Sequence, residues 1–237
     1  MFRLVAIIAV VAATAALAAV ALAAQSPKEL RAAIFAAAKK QHSLHYAERD
    51  SAAGLRQTMV SDISRKRGVQ RISFTLSGNG RTAKGQFTVR VVNSLVYFRA
   101  DQVAMRYYLG FTAAQTATYH DKWIVVRPGQ HRYKALATAV TLPSFLHEIY
   151  PSAPLALAKT SIGGRKYTGV RGINDTEGGG FKFVETVFPD SKLRPFAVSA
   201  VDRGKGFVSA LKISRWNQAV RVTAPADAVP ITAVETV

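Results

Sequence analysis

The sequence predicts an α+β fold in which one large antiparallel sheet is accompanied by a helix near the N-terminus and by short helices in mid-chain. Short β-prone runs follow one another from residue 44 onwards, separated by turns rich in Gly, Asn, Asp and basic residues. Several runs alternate apolar and polar residues, which is typical of strands with one buried face. No helix-like segment of comparable length interrupts them.

The N-terminal helix is expected to begin after Ser26 and to end at about Gln41. Ser26, Pro27 and Glu29 combine a capping box with Pro at the first helical position, which is typical of a helix start. Apolar residues then recur at helical spacing, and two lysines in the last turn suit the negative end of the helix dipole. One amphipathic helix is therefore predicted here.

The predicted sheet has about eleven strands joined mostly by short turns. Alternation is clearest around Phe74, Val89 and Leu211, and the turn at residues 77–80 contains Gly and Asn, which favours a hairpin. The expected strands cover residues 42–49, 56–63, 69–77, 85–92, 95–100, 123–127, 133–136, 166–173, 181–188, 193–201 and 206–215.

Three segments depart from the strand pattern. Residues 104–119 are predicted to form a loop with a short helix. Residues 141–150 pair a capping Thr with apolar residues at helical spacing, which predicts a short apolar helix, and residues 155–159 are a candidate for a further turn. Residues 226–237 have little periodicity and are expected to form an extended or frayed tail.

The first 24 residues predict a secretory signal peptide. Arg3 precedes a long apolar run that ends in small residues, so cleavage is expected after Ala23 or Ala24. The alternative is an uncleaved membrane anchor, because the run is close to the length that spans a bilayer. Either way, we expect an exported protein of the periplasm, cell envelope or extracellular space, with a single domain over residues 25–225.

The composition narrows the classes of partner. The chain has 0 Cys, which excludes disulfides, thiolate metal sites, Cys nucleophiles and a lipid-modified Cys. With 32 Lys+Arg and 14 Asp+Glu its formal charge is +18, which favours anionic lipid headgroups or wall polymers. Nucleic acid is not expected for an exported protein. The alternative is that the charge serves only solubility.

Two basic clusters are candidates for contact with headgroups or a membrane surface. The alternative is that they are solvated turns, which also discourage edge-to-edge association of sheets. The candidate residues are Arg65, Lys66, Arg67, Arg127, Arg132 and Lys134, with His131 beside the second cluster.

Catalysis is not predicted. The 5 His are scattered, with no paired-His metal spacing and no nucleophile elbow. The acidic residues show no clustering in sequence that would suit paired-carboxylate chemistry or cation binding. We therefore expect no catalytic residue, no metal and no cofactor.

Five segments, taken in their order along the chain, resemble the LppX/LprG family of exported lipid-binding lipoproteins, which has a LolA-like fold. The segments are 95–98 (LVYF), 122–126 (KWIVV), 142–146 (LPSFL), 164–170 (GRKYTGV) and 212–225 (KISRWNQAVRVTAP). The chain departs from the family in lacking the lipobox Cys, so tethering through that residue is not expected.

The resemblance implies a curved, half-open barrel whose helices close over an apolar cavity for acyl chains. It also implies an exported monomer that carries a lipid, glycolipid or lipoprotein through the cell envelope. The alternative on the same fold is an envelope signalling domain that binds a protein partner, as anti-sigma regulators do. The small amount of predicted helix agrees with a cavity, because it leaves the apolar face of the sheet incompletely covered.

The candidate cavity residues are apolar or aromatic. They are chosen by the alternation of apolar and polar residues along predicted strands or by their position on the mid-chain helix. Each of them has ordinary core packing as its alternative role. They are Ile72, Phe74, Phe87, Val89, Val91, Tyr97, Tyr107, Phe111, Trp123, Phe145 and Leu146.

Overall fold

The computed structural model describes residues 25–78, 80–174, 183–202 and 206–236. The predicted α+β class is confirmed: a large, open and mostly antiparallel sheet is accompanied by a few short helices and is not closed into a barrel. The predicted signal peptide (residues 1–24) and Asn79 of the predicted hairpin turn lie outside the described residues.

The first helix, α1, spans Pro27–Lys39 and has the predicted capping box. The Ser26 amide donates to Glu29 Oε2 at 2.9 Å, and the Glu29 amide donates to Ser26 Oγ at 3.3 Å. Within the described residues, no helix is long and apolar enough to cross a bilayer. The later helical elements are a π-helical turn Ala104–Tyr108, α2 Ala113–Tyr119, α3 Tyr133–Ala137, α4 Leu142–Glu148 and α5 Ile231–Glu235.

Twelve strands form the sheet within the described residues, and their order is β12-β6-β5-β4-β3-β2-β1-β11-β10-β9-β8-β7. All neighbours are antiparallel except β12 and β6, which are parallel. The strands are β1 Ser43–Ala52, β2 Leu55–Ser64, β3 Arg67–Gly78, β4 Arg81–Val92, β5 Leu95–Ala100, β6 Ile124–Val126, β7 Ser152–Ile162, β8 Arg165–Asn174, β9 Phe183–Pro189, β10 Pro195–Asp202, β11 Phe207–Ser214 and β12 Val229–Pro230.

Two predicted elements differ in type. Residues 133–136, predicted as a strand, belong to α3. This helix starts after Arg132, which has a left-handed backbone conformation, and the Leu136 amide donates a hydrogen bond to the Arg132 carbonyl. Residues 155–159, predicted as a turn, lie in β7, where pairing with β8 overrides the helical preference of an Ala/Leu-rich run.

The inner face of the sheet, which carries Tyr46, Ile72 and Leu211, bears two separate hydrophobic cores. The first core packs the π-helical turn, α3 and α5 against β3 to β6 and includes Phe98 and Phe111. The second core packs α1 and α4 against the inner side of β1, β2 and β8 to β11, and it includes Tyr46 and Phe145. Each half of the sheet therefore has its own core.

The C-terminal segment crosses the outer face of the sheet from β11 to β6. The Asn217 amide donates to the Ser43 carbonyl at 2.9 Å, Arg90 donates to the Thr223 carbonyl at 3.3 Å, and the Val229 amide donates to the Trp123 carbonyl at 2.8 Å. The chain then enters α5 and buries Ile231 and Val234 in the first core. The expected extended tail is thus a docked strand and helix, too short to show a helical period in the sequence.

Replacing Ile231 with Ala tests whether this terminal helix stabilises the first core. Ile231 is 1% exposed, so Ile231→Ala should lower the free energy of unfolding by about 2–4 kcal/mol in urea denaturation. Thr232→Ala, at an exposed position of the same helix, should change it by less than about 0.5 kcal/mol. Equal effects of the two substitutions would show that the helix is not docked.

Candidate ligand-binding site

A cavity of about 540 Å³ lies on the inner face of the sheet, between the two cores. Residues of the first core, such as Ile72 and Phe111, form one side, and residues of the second core, such as Tyr46 and Phe145, form the other. The volume falls within the range of about 300–1,000 Å³ that is usual for ligand pockets. The cavity is therefore the candidate functional site.

The register of the sheet arranges the inward side chains of the cavity in rows that run across the strands. One row is mainly apolar, and in order from β4 to β10 it consists of Phe87, Ile72, Met59, Glu48, Leu211 and Val198. The next row, nearer the β1–β2 turn, is mainly polar and in order from β2 to β9 consists of Gln57, Asp50, Ser209, Ala200 and Glu185. We call this second row the polar row.

Aromatic contacts fix the apolar walls on both sides of the cavity. The rings of Phe98 and Phe111 are stacked at 6.0 Å in the first core. Tyr46 and Phe145 are stacked at 4.6 Å in the second core, where Phe145 comes from α4. These pairs hold large apolar surfaces at the cavity with little freedom to collapse into it.

Hydrogen bonds along the polar row orient its side chains. The Tyr108 hydroxyl donates to Gln57 Oε1 at 2.6 Å, and Gln57 Nε2 donates to Asp50 Oδ2 at 3.0 Å. The Ser209 hydroxyl donates to Glu48 Oε1 at 2.8 Å. Asp50 Oδ1 is buried and has no hydrogen-bond partner within the part of the chain that the structure describes. The polar row thus presents a carboxylate oxygen that can accept a further hydrogen bond.

The cavity is acidic although the protein is strongly basic. Among the described residues that line it, Glu48, Asp50, Glu148 and Glu185 carry carboxylates and Arg132 is the single cation. Arg132 lies over the Phe111 ring at 4.2 Å and donates to the Leu109 carbonyl. The charge of the lining is therefore opposite in sign to the formal charge of +18 of the whole chain.

Burial changes the protonation of two groups at the cavity. Burial raises the pKa of Asp50 above its usual value, and the polar groups of Ser209, Gln57 and Glu48 oppose this effect only in part. Burial, followed by the negative charge of Glu48, raises the pKa of the Tyr46 hydroxyl. That hydroxyl donates to the Ala139 carbonyl at 3.1 Å, so it stays protonated and ties β1 to the segment before α4.

Five of the predicted cavity residues do line the cavity: Ile72, Phe87, Val89, Phe111 and Phe145. Three others face inward but pack within a core. Phe74 is one of them, because Gly85 opposite has no side chain and the Phe74 ring fills that place, where a Cβ would lie 2.4 Å from it. Val91 packs in the first core and Leu146 in the second.

The remaining three predicted cavity residues lie elsewhere. Tyr97 and Trp123 are on the outer face, because Val96 and Phe98 take the inward positions of β5. The Trp123 ring lies 4.4 Å from the Arg90 guanidinium, which also faces outward. Tyr107 is 68% exposed on the π-helical turn. Alternation along the strands, which places every second residue outward, separates Tyr97 and Trp123 from the cavity.

The predicted basic clusters are divided by the structure. Arg65, Lys66 and Arg67 are exposed at the β2–β3 turn, and Arg127 and Lys134 are exposed near α3. Arg132, in contrast, is half-buried and lines the cavity. The exposed residues remain candidates for a contact with a membrane surface, whereas Arg132 is part of the cavity wall.

The acidic lining was not predicted, because its carboxylates are not clustered in the sequence. Glu48 and Asp50 alternate with outward residues on β1, which is a local signal, but Glu185 and Ser209 reach the same site from β9 and β11. Only long-range strand pairing brings them together. Across the described part of the chain, no group of three or more His, Asp or Glu side chains is arranged to hold a metal ion.

Comparison with solved structures finds distant similarities of fold. The crystal structure of the lipoprotein LppX from Mycobacterium tuberculosis is 18% identical, with 84% of this chain and 100% of LppX covered and a TM-score of 0.46. MucB, which has also been solved in complex with MucA, is 13% identical, with 80% of this chain and 60% of MucB covered and a TM-score of 0.35.

A DUF1329 family protein from Desulfovibrio piger is 10% identical, with 83% of this chain and 93% of that protein covered and a TM-score of 0.28. These structures have LolA-like folds, the fold group that the sequence predicted. No protein-family profile matches the sequence, and no curated protein matches it. Each similarity is distant and concerns the fold.

The raised pKa of Asp50 makes a prediction about stability. Because the folded state binds this proton more tightly than the unfolded chain, stability is lost as pH rises from about 4 through the raised pKa. Asp50→Asn keeps the side-chain size and removes the charge, so it should raise the free energy of unfolding at neutral pH and have less effect near pH ~4. Urea denaturation at both pH values measures this, and a pH-independent difference would contradict it.

Proposed function

We propose that the protein binds the acyl chain, or another long apolar segment, of an amphiphile in the cavity and carries it through the cell envelope. The observation that carries this proposal is the space of about 540 Å³ between the two hydrophobic cores. Where the wall of the space is apolar, an inserted hydrocarbon chain restores the dispersion contacts that an empty space lacks.

The expected gain from such a ligand is large enough for stable binding. Each buried methylene contributes about 0.8 kcal/mol, so a chain of about twelve carbons gains roughly 10 kcal/mol before the cost of association is subtracted. The apolar row of β2 to β4 and β10 to β11 supplies the floor for this chain. The affinity of such a site depends on the length of the hydrocarbon chain more than on its exact shape, which suits a carrier of lipids.

Transport, as opposed to storage, is supported by the predicted export signal and by the basic surface. A protein of formal charge +18 is attracted to anionic membrane surfaces, and Arg65, Lys66 and Arg127 are exposed to meet them. Among the described lining residues there is no His or Cys to act as base or nucleophile. We therefore propose an exported lipid or lipoprotein carrier without an enzymatic role.

A second candidate function is an envelope interaction domain that binds a protein partner. The observation that favours it is the edge strand β7, an 11-residue strand that pairs on one side only, with β8, among the described strands. Leu157 and Ile162 on this strand are large and exposed. An edge of this kind can accept a strand from another protein. The two candidates differ in whether the cavity is occupied.

Two neighbouring residues of β2 allow a matched test of the carrier role. Met59 faces the cavity, whereas Val60 points outward and is 40% exposed. Met59→Trp should fill part of the cavity and weaken binding of the fluorescent apolar probe 1-N-phenylnaphthylamine by about tenfold or more, since the bulk of an indole replaces the ligand. Fluorescence titration of the probe measures the affinity.

Val60→Trp is the control for this experiment and should bind the probe as the unsubstituted protein does. Circular dichroism of both variants checks that the sheet is intact. Equal affinity of the two variants would contradict binding in the cavity. Absence of probe binding by the unsubstituted protein would contradict the carrier role itself.

A further inference from the structure

The polar row lies at one end of the cavity and gives it a direction. Along β1 the inward side chains change from Tyr46, which packs in the second core, to Glu48 and then Asp50 near the β1–β2 turn. An amphiphile whose chain lies on the apolar row would have its polar group beside Asp50. The chemistry of the polar row therefore bears on the polar group of the ligand.

The hydrogen bonds around Asp50 leave one acceptor open. The Tyr108 hydroxyl donates to Gln57 Oε1, and Gln57 Nε2 donates to Asp50 Oδ2. Ser209 donates its hydroxyl proton to Glu48. Asp50 is 9% exposed and lines the cavity, and its Oδ1 has no hydrogen-bond partner among the described residues. A buried acceptor without a donor is costly, which points to a donor supplied by a ligand.

The charge of the lining selects among possible donors. Four carboxylates and one guanidinium line the described cavity, and the guanidinium of Arg132 is already engaged by the Leu109 carbonyl and lies 3.9 Å from Glu235. A carboxylate or phosphate placed beside Asp50 would meet like charges in a poorly solvated space. A cation placed there would meet opposite charges and donate to the open oxygen.

We propose that the ligand of this cavity is an amphiphile whose polar group is an ammonium cation, bound at the polar row by Asp50, with Glu48 on the same face of β1. This inference rests on the proposed function and specifies the ligand class. The chain of the amphiphile lies on the apolar row, and its ammonium group donates to Asp50 Oδ1. The overall positive charge of the protein works against cations, so a preference for ammonium must come from the site itself.

Three amphiphiles with the same chain test the proposal: dodecylamine, dodecanol and dodecanoate, each used below its aggregation concentration to displace 1-N-phenylnaphthylamine at neutral pH. We expect dodecylamine to bind about tenfold tighter than dodecanol, and dodecanoate to bind most weakly. Asp50→Asn should lower the ratio of amine to alcohol affinity by about fivefold or more. Asp62→Asn, which removes a carboxylate on the outer face, should keep that ratio.

The outcomes separate this inference from the proposed function. Tight binding of the probe and of dodecanol without a preference for the amine would overturn the ammonium assignment and leave the carrier role standing. Absence of any displacement would overturn both. Should Asp50→Asn fail to fold, as judged by circular dichroism, Glu48→Gln takes its place, and an unchanged amine-to-alcohol ratio in the folded variant counts against the proposal.

Discussion

The pairing of β1 with β11 is the constraint on which the rest of the structure depends. The strands β1 to β6 and β7 to β11 are each joined in sequence order, and the register from His45–Ser214 to Ser51–Val208 unites the two groups in one sheet. The two cores do not follow these groups, since the second core joins β1 and β2 to β8 to β11 and the first core lies over β3 to β6. The cavity lies across the pairing, because β1 to β5 and β8 to β11 all contribute lining residues.

The same pairing explains the chemistry of the cavity. It places Ser209 beside Asp50 and Leu211 beside Glu48, so that polar and apolar rows continue across the boundary. A buried carboxylate without a compensating partner weakens the fold, because its charged form is poorly solvated. The same loss of solvation raises the pKa of Asp50. A protein that retains a destabilising group in a cavity commonly does so for binding, and the proposed ammonium ligand supplies the compensation.

Local patterns in the sequence predicted the elements whose structure depends mainly on residues close to one another in the chain. The capping box at Ser26 fixed the start of α1, and alternation identified the faces of β3 and β4. The type of α3 and of β7 was not predictable in this way, because both are short or compositionally ambiguous and their state is decided by tertiary contacts. The helix α5 was not predictable either, because its two buried residues are too few to show helical periodicity.

The candidate site was predicted less completely than the fold. Apolar residues such as Ile72 and Val89 were identified by alternation, but Trp123, which was expected in the cavity, lies on the outer face. The polar row combines β1, β2, β9 and β11, which are far apart in sequence, so its existence depends on the register of long-range pairs that no local pattern shows.

The most direct test of the cavity is a crystal structure of the protein with bromododecanol, with the bromine located by anomalous scattering. We expect a bromine peak between the two cores, near Ile72, Val89 and Phe145. Side chains of the two cores in direct contact, with no peak between them, would show that the cavity does not exist.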